Sequence, residues 1–346
     1  MEKIKVRYRE RIFESEKGAA LTEILKDVLA AGNRGFLAAV VNSAVKDIAA
    51  KIYEDSDVDL LSFDDEEGRE VFRHSTAHLL AQAVVALFPD AKPTIGPVVE
   101  EGFYYDFDAK PFTPEDLVKI ESRMREIVKA AYPVERVEIS KNEALELFKD
   151  NKFKVEMISE MEDGAISAYR QGDFIDLCRG PHVPNTSALK HFKLFKLAGA
   201  YWRGDQRREQ LQRIYGISFP DEERLDLHFE RLEEARLRDH RRIGAEMDLF
   251  SFHDEGVGFP FWHPKGMILR NEIITYWREM HGKYGYLEIQ TPQILNKALW
   301  ERSGHYEHYR KNMYFTEIDE NVCAVKPMNC PGGLLVYKSR LHSYRE

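Results

Sequence analysis

The stretch HSTAHLLAQAVVALF, residues 74–88, has the clearest helical pattern in the sequence and carries two histidines four residues apart. Side chains at positions i and i+4 of a helix lie on one face, so His74 and His78 are expected to point into the same space. Apolar residues such as Leu79 hold this helix against a core, and Pro89 ends it. The stretch therefore predicts a packed helix that presents two imidazoles together.

A second short stretch, DLCRGPH at residues 176–182, places a cysteine and a histidine at the same spacing. Histidine nitrogens and thiolates are usual zinc ligands, whereas a cysteine beside a histidine base can also serve as a nucleophile. A metal-free cluster would instead position water to hydrolyse an activated ester. Spacing alone does not separate these three roles, but the two pairs together, with a Gly-Pro turn between Cys178 and His182, favour a functional site.

The composition indicates a globular protein of more than one domain. The chain has 346 residues, of which 43% are hydrophobic and 32% charged. It has no run of about eighteen apolar residues and no signal-peptide pattern, and its three cysteines are too few for a disulfide framework. We therefore expect a cytoplasmic protein without a membrane partner. Because the net charge is -9, a nucleic-acid partner would have to bind local basic patches.

Hydrophobic periodicity predicts a multidomain α+β protein. Residues 1–63 alternate as a strand at the start and continue as a helix and short strands, which indicates a small α+β module. Residues 64–220 have a mixed α/β pattern, and 221–243 is a charge-dense segment expected to form an exposed connecting helix. Residues 244–346 predict a long helix, a tight turn and a strand that ends at Pro292.

One helix start is specified by several residues at once. Thr113 can cap the helix, Pro114 suits its first position, and Asp116 completes a capping box. An apolar stripe then continues at helical spacing through Leu117, Ile120, Met124, Ile127 and Ala131. The pattern predicts a helix over residues 114–131.

Several longer strings resemble the threonyl-tRNA synthetase family of bacterial type. HSTAHLLAQAV, GFYYDFD, DFIDLCRGPHVP, AGAYWRGD and LQRIYG are similar to its editing domain, an α/β domain whose fold alanyl-tRNA synthetase shares. Residues 1–63 resemble the β-grasp-like TGS module that precedes this domain. FWHPKGMILRNEI, YGYLEIQTP and AVKPMNCPGG resemble the start of a class II catalytic domain with an antiparallel sheet. The resemblance is colinear and covers essentially the whole chain.

In that family the editing domain hydrolyses serine that has been attached to threonine tRNA by mistake. Serine lacks one methyl group of threonine, a difference that binding alone discriminates by about 1 to 3 kcal/mol. A second pocket that admits serine and excludes the methyl group therefore supplies the remaining selectivity. The residues that match this pocket are His74, His78, Cys178 and His182.

The resemblance also implies roles around the pocket. The histidines and Asp176 are implied to position water or handle protons, and Cys178 to form pocket wall rather than an obligate nucleophile. Metal occupancy stays open, because the related cluster of alanyl-tRNA synthetase holds zinc and that of the threonine enzyme is usually drawn without it. The motif YWRGD at 201–205 is a candidate for RNA contact. Candidates for contact with the tRNA terminus are Tyr104, Arg179 and Lys152.

The final segment of the chain implies a second site. Cys330 matches one of three protein ligands of a catalytic zinc, and the two histidines expected to complete it would lie beyond Glu346. An open fourth position would let zinc bind the amino and hydroxyl groups of threonine and reject valine. Met328 is a candidate for the lining of that pocket. Motif 1 is present whereas motifs 2 and 3 are absent, so we expect a truncated chain that edits but does not activate threonine.

For the full-length enzyme, the resemblance implies the substrates ATP with Mg²⁺, threonine and tRNA(Thr), and a homodimer built on motif 1. Two other functions fit part of the sequence. A free-standing deacylase that edits mischarged tRNA in trans would not need motif 1 or the MNCPGG segment. A non-catalytic paralogue that binds RNA or a regulatory partner would not need an intact set of three histidines and a cysteine.

Overall fold

The computed structural model describes residues 2–31, 35–343 and 345. Contacts divide the chain into two units, Met1–Leu237 and Arg238–Glu346. Both units combine helices with small sheets, which confirms the predicted α+β composition at the level of mixed helices and several sheets. Among the described residues, no helix has the length and apolarity needed to cross a membrane.

The first unit begins with a mixed five-stranded sheet. The segment that contains this sheet, residues 3–61, is called the first module below. Its elements are β1 (Lys3–Tyr8), β2 (Arg11–Glu16), α1 (Leu21–Ile24), α2 (Lys26–Ala31), β3 (Ala38–Val41), β4 (Ala44–Asp47) and β5 (Ser56–Leu61). The strand order is β2-β1-β5-β3-β4, in which β1 and β5 are parallel and the other neighbours antiparallel. Ile4, Val6 and Tyr8 are buried and alternate with exposed residues, as the sequence predicts for this strand.

The rest of the first unit contains two antiparallel sheets and the helix that carries His74 and His78. Its elements are α3 (Glu66–Leu87), β6 (Lys92–Pro93), β7 (Val98–Val99), β8 (Gly102–Asp108), α4 (Pro114–Ala130), β9 (Val134–Ser140), α5 (Lys141–Leu147), α6 (Lys152–Ser159), β10 (Ala165–Gln171), β11 (Phe174–Leu177), β12 (His191–Tyr201), β13 (Gln210–Phe219) and α7 (Glu222–Leu237). One sheet has the order β12-β13-β8-β6, with β7 also paired to β8, and the other has the order β11-β10-β9.

The α4 helix begins where the sequence predicts. The Thr113 side chain accepts a hydrogen bond from the Asp116 backbone N–H, and the Asp116 carboxylate accepts one from the Thr113 backbone N–H. The helix ends at Ala130, and Ala131 adopts a left-handed conformation with φ of 55°. These two hydrogen bonds confirm the predicted capping box. They satisfy backbone donors that a helix start leaves unpaired.

A single buried cluster joins the first module to the rest of its unit. α3 packs on α4 and on β8, and α4 packs on β12; their apolar side chains form the largest core among the residues that the structure describes. Leu37, Ala38 and Leu61 of the first module, and Phe63 just after it, belong to the same cluster. The rings of Phe63 and Phe72 meet edge to face at 5.1 Å. The first module is thus held to α3 by apolar burial.

The second unit is a set of small elements around a long helix. Its elements are α8 (His240–Glu246), β14 (Phe250–Ser251), β15 (Phe261–Trp262), α9 (Pro264–Lys283), β16 (Ile294–Asn296), α10 (Lys297–Arg302), α11 (His305–Tyr309), β17 (Phe315–Ile318), β18 (Asn321–Val325) and α12 (Cys330–Tyr337). β14 and β15 form a hairpin, and β16-β18-β17 is an antiparallel sheet.

One local prediction in the second unit was wrong. The long helix is present as α9, but the predicted strand that ends at Pro292 is not formed, and a strand begins only after this proline, as β16. A strand is stable when its backbone pairs with a neighbour and one of its faces is buried. In the described part of the unit this segment has neither, and Leu287 is 90% exposed.

Candidate active site

Two elements bring the histidine and cysteine motifs together. α3 carries His74 and His78 on one face, and β11 leads into the loop that holds Cys178 and His182. The ring centroid of His182 lies 4.6 Å from that of His74 and 4.5 Å from that of His78. One potential ligand atom from each of the four residues lies within 4.8 Å of the other three. The two motifs thus form one cluster in space, called the histidine cluster below.

The Cys178 sulfur lies at the centre of this cluster. His74 Nε2 is 3.0 Å from Sγ and His182 Nε2 is 3.2 Å from it, and the Gly180 backbone N–H donates to the same sulfur. Burial raises the pKa of the Cys178 thiol to about 12. The thiol therefore stays protonated near neutral pH, which disfavours a thiolate nucleophile, because only the thiolate attacks efficiently.

Ser75, between the two histidines of α3, sets the tautomer of His182. Its hydroxyl donates to the Val71 carbonyl at 2.7 Å and accepts from the Val183 N–H at 3.0 Å. The same oxygen lies 3.1 Å from His182 Nδ1. A hydroxyl has one proton, so with that proton on Val71 it must accept from Nδ1–H. His182 Nε2 then keeps its lone pair, which points at the Cys178 sulfur.

The imidazoles of the cluster are neutral near neutral pH. Burial lowers the pKa of His78 and of His182 well below 6.5, and the nearby histidines lower it further. Burial also lowers the pKa of His74, against a hydrogen bond to the Gly96 carbonyl that raises it. Neutral imidazoles can accept a proton from water or bind a metal, so both chemistries remain open to this cluster.

A buried ion pair lies beside the histidine cluster. The Lys154 ammonium is 2.6 Å from Asp176 Oδ1, and the Tyr105 hydroxyl donates to Asp176 Oδ2 at 2.5 Å. His78 Nδ1 is 3.5 Å from Oδ2 of the same carboxylate. Lys154 and Asp176 are 2% and 1% exposed. A charge buried this deeply requires such partners, and Asp176 thereby links the ammonium to the imidazoles.

Lys154 was not among the residues proposed from the sequence, which favoured Lys152. Lys152 is exposed and pairs with Glu209 at 2.9 Å. Lys154 lies on the inner face of α6 together with Phe153 and Ile158, both buried. Helical periodicity could have indicated Lys154. Position 154 lies on the same helix face as the apolar residue at 158, whereas position 152 does not.

His74, His78 and Cys178 of the histidine cluster line one cavity of about 590 Å³ together with the ion pair. His182 contacts the rings of His74 and His78 but does not itself line the cavity. Its walls come from α3, α6, β8, β10, the segment around Gly96 and the loop after β11. A cavity of this size holds a small ligand with part of a larger substrate. Residues that line it include His74, His78, Tyr105, Lys154, Asp176, Cys178 and Arg179.

The other two of the three residues proposed for contact with the tRNA terminus, Arg179 and Tyr104, have different locations. Arg179 is exposed and lines the cavity. Tyr104 does not line it, since its ring lies 3.7 Å under the Arg213 guanidinium, which pairs with Asp106. Side chains alternate between the two faces of the sheet along β8, so Tyr105 faces the cavity and Tyr104 does not.

In the YWRGD motif Tyr201 is exposed, whereas Trp202 and Arg203 pair with Glu156 and Glu160. Trp202 is buried, and its indole N–H donates to Glu156 at 3.2 Å. Arg203 pairs with Glu160 at 2.6 Å, and Arg208 with Glu156 at the same distance. The arginines hold the pKa of the Glu156 carboxyl down, at about 2. These groups stabilise the β12–β13 connection against α6.

The proposed second site is not assembled by the residues of the second unit that the structure describes. Cys330 is exposed at the start of α12. Met328 is 48% exposed, with its sulfur 3.2 Å from His305 Nε2. Among the described residues, the only group of three or more histidine, cysteine or carboxylate side chains able to hold a metal is the histidine cluster. Its donors, three imidazoles and a thiol, are a set that zinc accepts.

Comparison with known proteins gives a consistent picture. Residues 166–215 match the family described as "Threonyl and Alanyl tRNA synthetase second additional domain". The threonine–tRNA ligase of Desulforamulus reducens is 56% identical over 333 residues, 95% of this chain and 52% of that protein. That of Syntrophomonas wolfei is 53% identical over 337 residues, 96% of this chain and 53% of that protein. The chain thus spans about half the length of the curated relatives it matches.

A solved structure is also similar in sequence to part of the chain. The RNA binding domain of threonyl-tRNA synthetase from Cryptosporidium parvum is 37% identical, covering 32% of this chain and 28% of that chain, with a TM-score of 0.31. A score this low does not establish a shared fold. The sequence similarities to the ligases confirm the predicted resemblance, and the chain is homologous to threonine–tRNA ligases over about half of their length.

Proposed function

We propose that the first unit hydrolyses the ester that joins serine to a threonine tRNA. The observation that carries this proposal is the cavity lined by the neutral imidazoles of His74 and His78 beside the buried Lys154–Asp176 pair. The homology to threonine–tRNA ligases supplies the substrate class. Serine is smaller than threonine by a methyl group, and a closely lined pocket can use that difference to spare correctly charged tRNA.

The proposed reaction is addition of water to the ester carbonyl, followed by loss of the ribose oxygen. A neutral imidazole of the cluster takes the proton that water loses and returns it to the ribose oxygen as that bond breaks. The Asp176 carboxylate, 3.5 Å from His78 Nδ1, stabilises the imidazolium formed on the way. Cys178 forms pocket wall, because its thiol is protonated near neutral pH.

We further propose that the whole protein attaches threonine to tRNA(Thr) with ATP and Mg²⁺, as a cytoplasmic homodimer. In this proposal residues 1–63 are a β-grasp TGS module, 64–220 the editing domain, 221–243 a connecting helix and 244–346 the beginning of a class II catalytic domain. Zinc bound through Cys330 would select threonine by its hydroxyl. The described residues do not complete such a site around Cys330, so two further ligands are required.

The editing proposal is tested by deacylation of seryl-tRNA(Thr) with the 346-residue chain. His78→Ala is expected to lower turnover by at least about a hundredfold, within the range that general acid–base groups contribute. His191→Ala is the matched control, because His191 is a half-buried histidine on β12 that does not line the cavity. Threonyl-tRNA(Thr) should react much more slowly than seryl-tRNA(Thr). Undiminished turnover by His78→Ala would rule out the proposed site.

Metal content decides between the two chemistries that the cluster allows. If chelation abolishes deacylation and zinc restores it, the imidazoles act as ligands rather than as proton acceptors. If activity is unchanged at less than about a tenth of a zinc equivalent, the metal-free reaction holds. The Cys178→Ser variant separates the cases further, because a hydroxyl replaces pocket wall but is a much poorer zinc ligand.

A further inference from the structure

A carboxylate of the first module forms hydrogen bonds that hold part of the histidine cluster in place. Asp47, the last residue of β4, accepts a hydrogen bond from the His182 backbone N–H at 2.8 Å through Oδ1. Its other oxygen accepts from the Tyr169 hydroxyl at 2.7 Å. Asp47 is 135 residues from His182 and 122 from Tyr169 in sequence. One side chain therefore holds both a member of the histidine cluster and the tyrosine that packs on its ring.

The two groups that Asp47 holds also contact each other. The Tyr169 ring centroid lies 4.4 Å from that of His182. The Tyr169 hydroxyl packs directly against Gly180, because a Cβ added to this glycine would lie 1.9 Å from the phenol oxygen. His182 is thus held at three points, by Asp47 at its backbone, by Ser75 at Nδ1 and by Tyr169 on its ring.

We propose that Asp47 is a positioning residue for ester hydrolysis, through which the first module fixes His182 in its working orientation. This inference rests on the proposed editing function. It gives the first module a part in hydrolysis, whereas the histidine cluster itself lies wholly on elements outside that module. Asp47 itself touches none of the reacting atoms in this scheme and acts through His182.

Docking of the first module does not depend on Asp47. Leu37, Ala38 and Leu61 are buried in the core shared with α3 and would hold the module in place without the carboxylate. Loss of Asp47 is therefore expected to act locally, leaving the His182 N–H and the Tyr169 O–H without their acceptor. If Asp47 served only to hold the first module in place, its loss would lower the free energy of unfolding and would not selectively lower kcat.

The first test is steady-state deacylation of seryl-tRNA(Thr) by Asp47→Ala and Asp47→Asn in the 346-residue chain. Asp47→Ala is expected to lower kcat at least tenfold and to change KM less than twofold, because the substrate contacts remain. Asp47→Asn should stay within about threefold of wild type, since its amide oxygen still accepts from the His182 N–H. Asp57→Ala is the control, an exposed carboxylate of the same module whose partner is Arg7. Wild-type kcat in Asp47→Ala would overturn the proposal.

A second test does not require activity. Hydrogen–deuterium exchange of the peptide containing residues 178–183 reports the His182 amide directly. Asp47→Ala should speed exchange there at least tenfold, Tyr169→Phe should speed it less, and Asp57→Ala should leave it unchanged. Unchanged exchange in Asp47→Ala overturns the positioning role. If wild type fails to deacylate, the proposed function fails, while the exchange result still decides whether Asp47 holds His182. If Asp47→Ala does not fold, the local role is excluded.

Discussion

Lys154 and Asp176 form a buried ion pair, with the ammonium nitrogen 2.6 Å from the carboxylate oxygen and both side chains 2% exposed. The pair also contacts Tyr105, whose hydroxyl donates to the second carboxylate oxygen. Burial raises the pKa of the Tyr105 hydroxyl well above its ordinary value, and the Asp176 charge raises it further. The phenol therefore remains a donor, and Asp176 accepts from the Tyr105 hydroxyl on one oxygen and contacts the Lys154 nitrogen with the other.

Lys154→Met is expected to destabilise the first unit and to impair hydrolysis together. Removing one partner of a buried pair leaves the other charge without compensation, at a cost of about 3 to 5 kcal/mol. The free energy of unfolding, measured with urea, should fall by that amount, and seryl-tRNA deacylation should fall with it.

Lys152→Met is the matched control for that change. It lies two residues away on the same helix and removes an ion pair to Glu209 whose side chains are 60% and 36% exposed. Exposed pairs contribute less than about 1 kcal/mol. Equal losses of unfolding free energy and of deacylation in the two variants would show that the buried Lys154–Asp176 pair contributes no more than the exposed pair.

Acid should weaken the first unit through its histidine cluster. His78 and His182 have folded pKa values well below 6.5, so as the pH falls below that value the unfolded chain takes up protons that the folded chain does not. Stability present above pH 6.5 is therefore lost toward lower pH, by up to about 1.4 kcal/mol per pH unit for each such histidine. Urea unfolding at pH 7.5, 6.5 and 5.5 measures the slope.

The His78→Asn variant isolates this contribution from that of other groups. It removes one imidazole, so its stability should depend less steeply on pH between 6.5 and 5.5 than that of wild type. The deacylation rate of wild type should also stay flat down through pH 6.5, because the imidazoles remain neutral there. Parallel slopes for the two proteins would contradict the assignment of buried, neutral histidines.

Local spacing predicted the parts of the site that lie within one element or one loop. The i and i+4 histidines of α3 and the capping box at Thr113 depend on residues a few positions apart, and both are present. The relation between Cys178 and His182 across a Gly-Pro turn is of the same kind. Such relations follow from helix and turn geometry without knowledge of the tertiary fold.

The remaining features depend on packing between distant segments, which spacing does not encode. Alternation along β8 separates Tyr104 from Tyr105, but only the placement of α3 and α6 decides which face lines the cavity. The YWRGD motif was a candidate for RNA contact, but spacing could not show that Trp202 within it is buried against Glu156 of α6. Asp47 meets His182 across 135 residues, so no local pattern could reveal it.

Gly180→Ala should disturb the loop that holds Cys178 and His182. Gly180 has φ of 70°, which carries a cost of order 1 to 3 kcal/mol for other residues, and an added Cβ would lie 1.9 Å from the Tyr169 hydroxyl oxygen. We expect both a lower unfolding free energy and at least a tenfold loss of deacylation, because Tyr169 or the loop must move.

Gly204→Ala separates the backbone effect from the contact with Tyr169. Gly204 has a similar φ of 73°, but an added Cβ there meets nothing within 4 Å. This variant should lose some stability and keep its deacylation rate. If Gly180→Ala loses no more stability and no more activity than Gly204→Ala, the Tyr169 contact has no role in shaping the loop.

The second unit should be cleaved before the first in limited proteolysis. Many of its large apolar side chains are exposed, including Trp277 at 63%, Tyr284 at 76% and Leu287 at 90%, and its buried cluster centres on Trp300, Met313 and Ala324 alone. Little apolar burial means a low free energy of local opening, and proteases cut opened segments.

Trypsin at low ratio, followed by mass spectrometry, should therefore release fragments from residues 238–346 while 1–237 persists. The persisting fragment should keep its deacylation activity, because every residue of the histidine cluster lies within it. Binding of a hydrophobic dye should fall when the second unit is removed, since the exposed apolar side chains leave with it. Early cuts between residues 64 and 220, with 238–346 intact, would reverse the order of stability that apolar burial predicts.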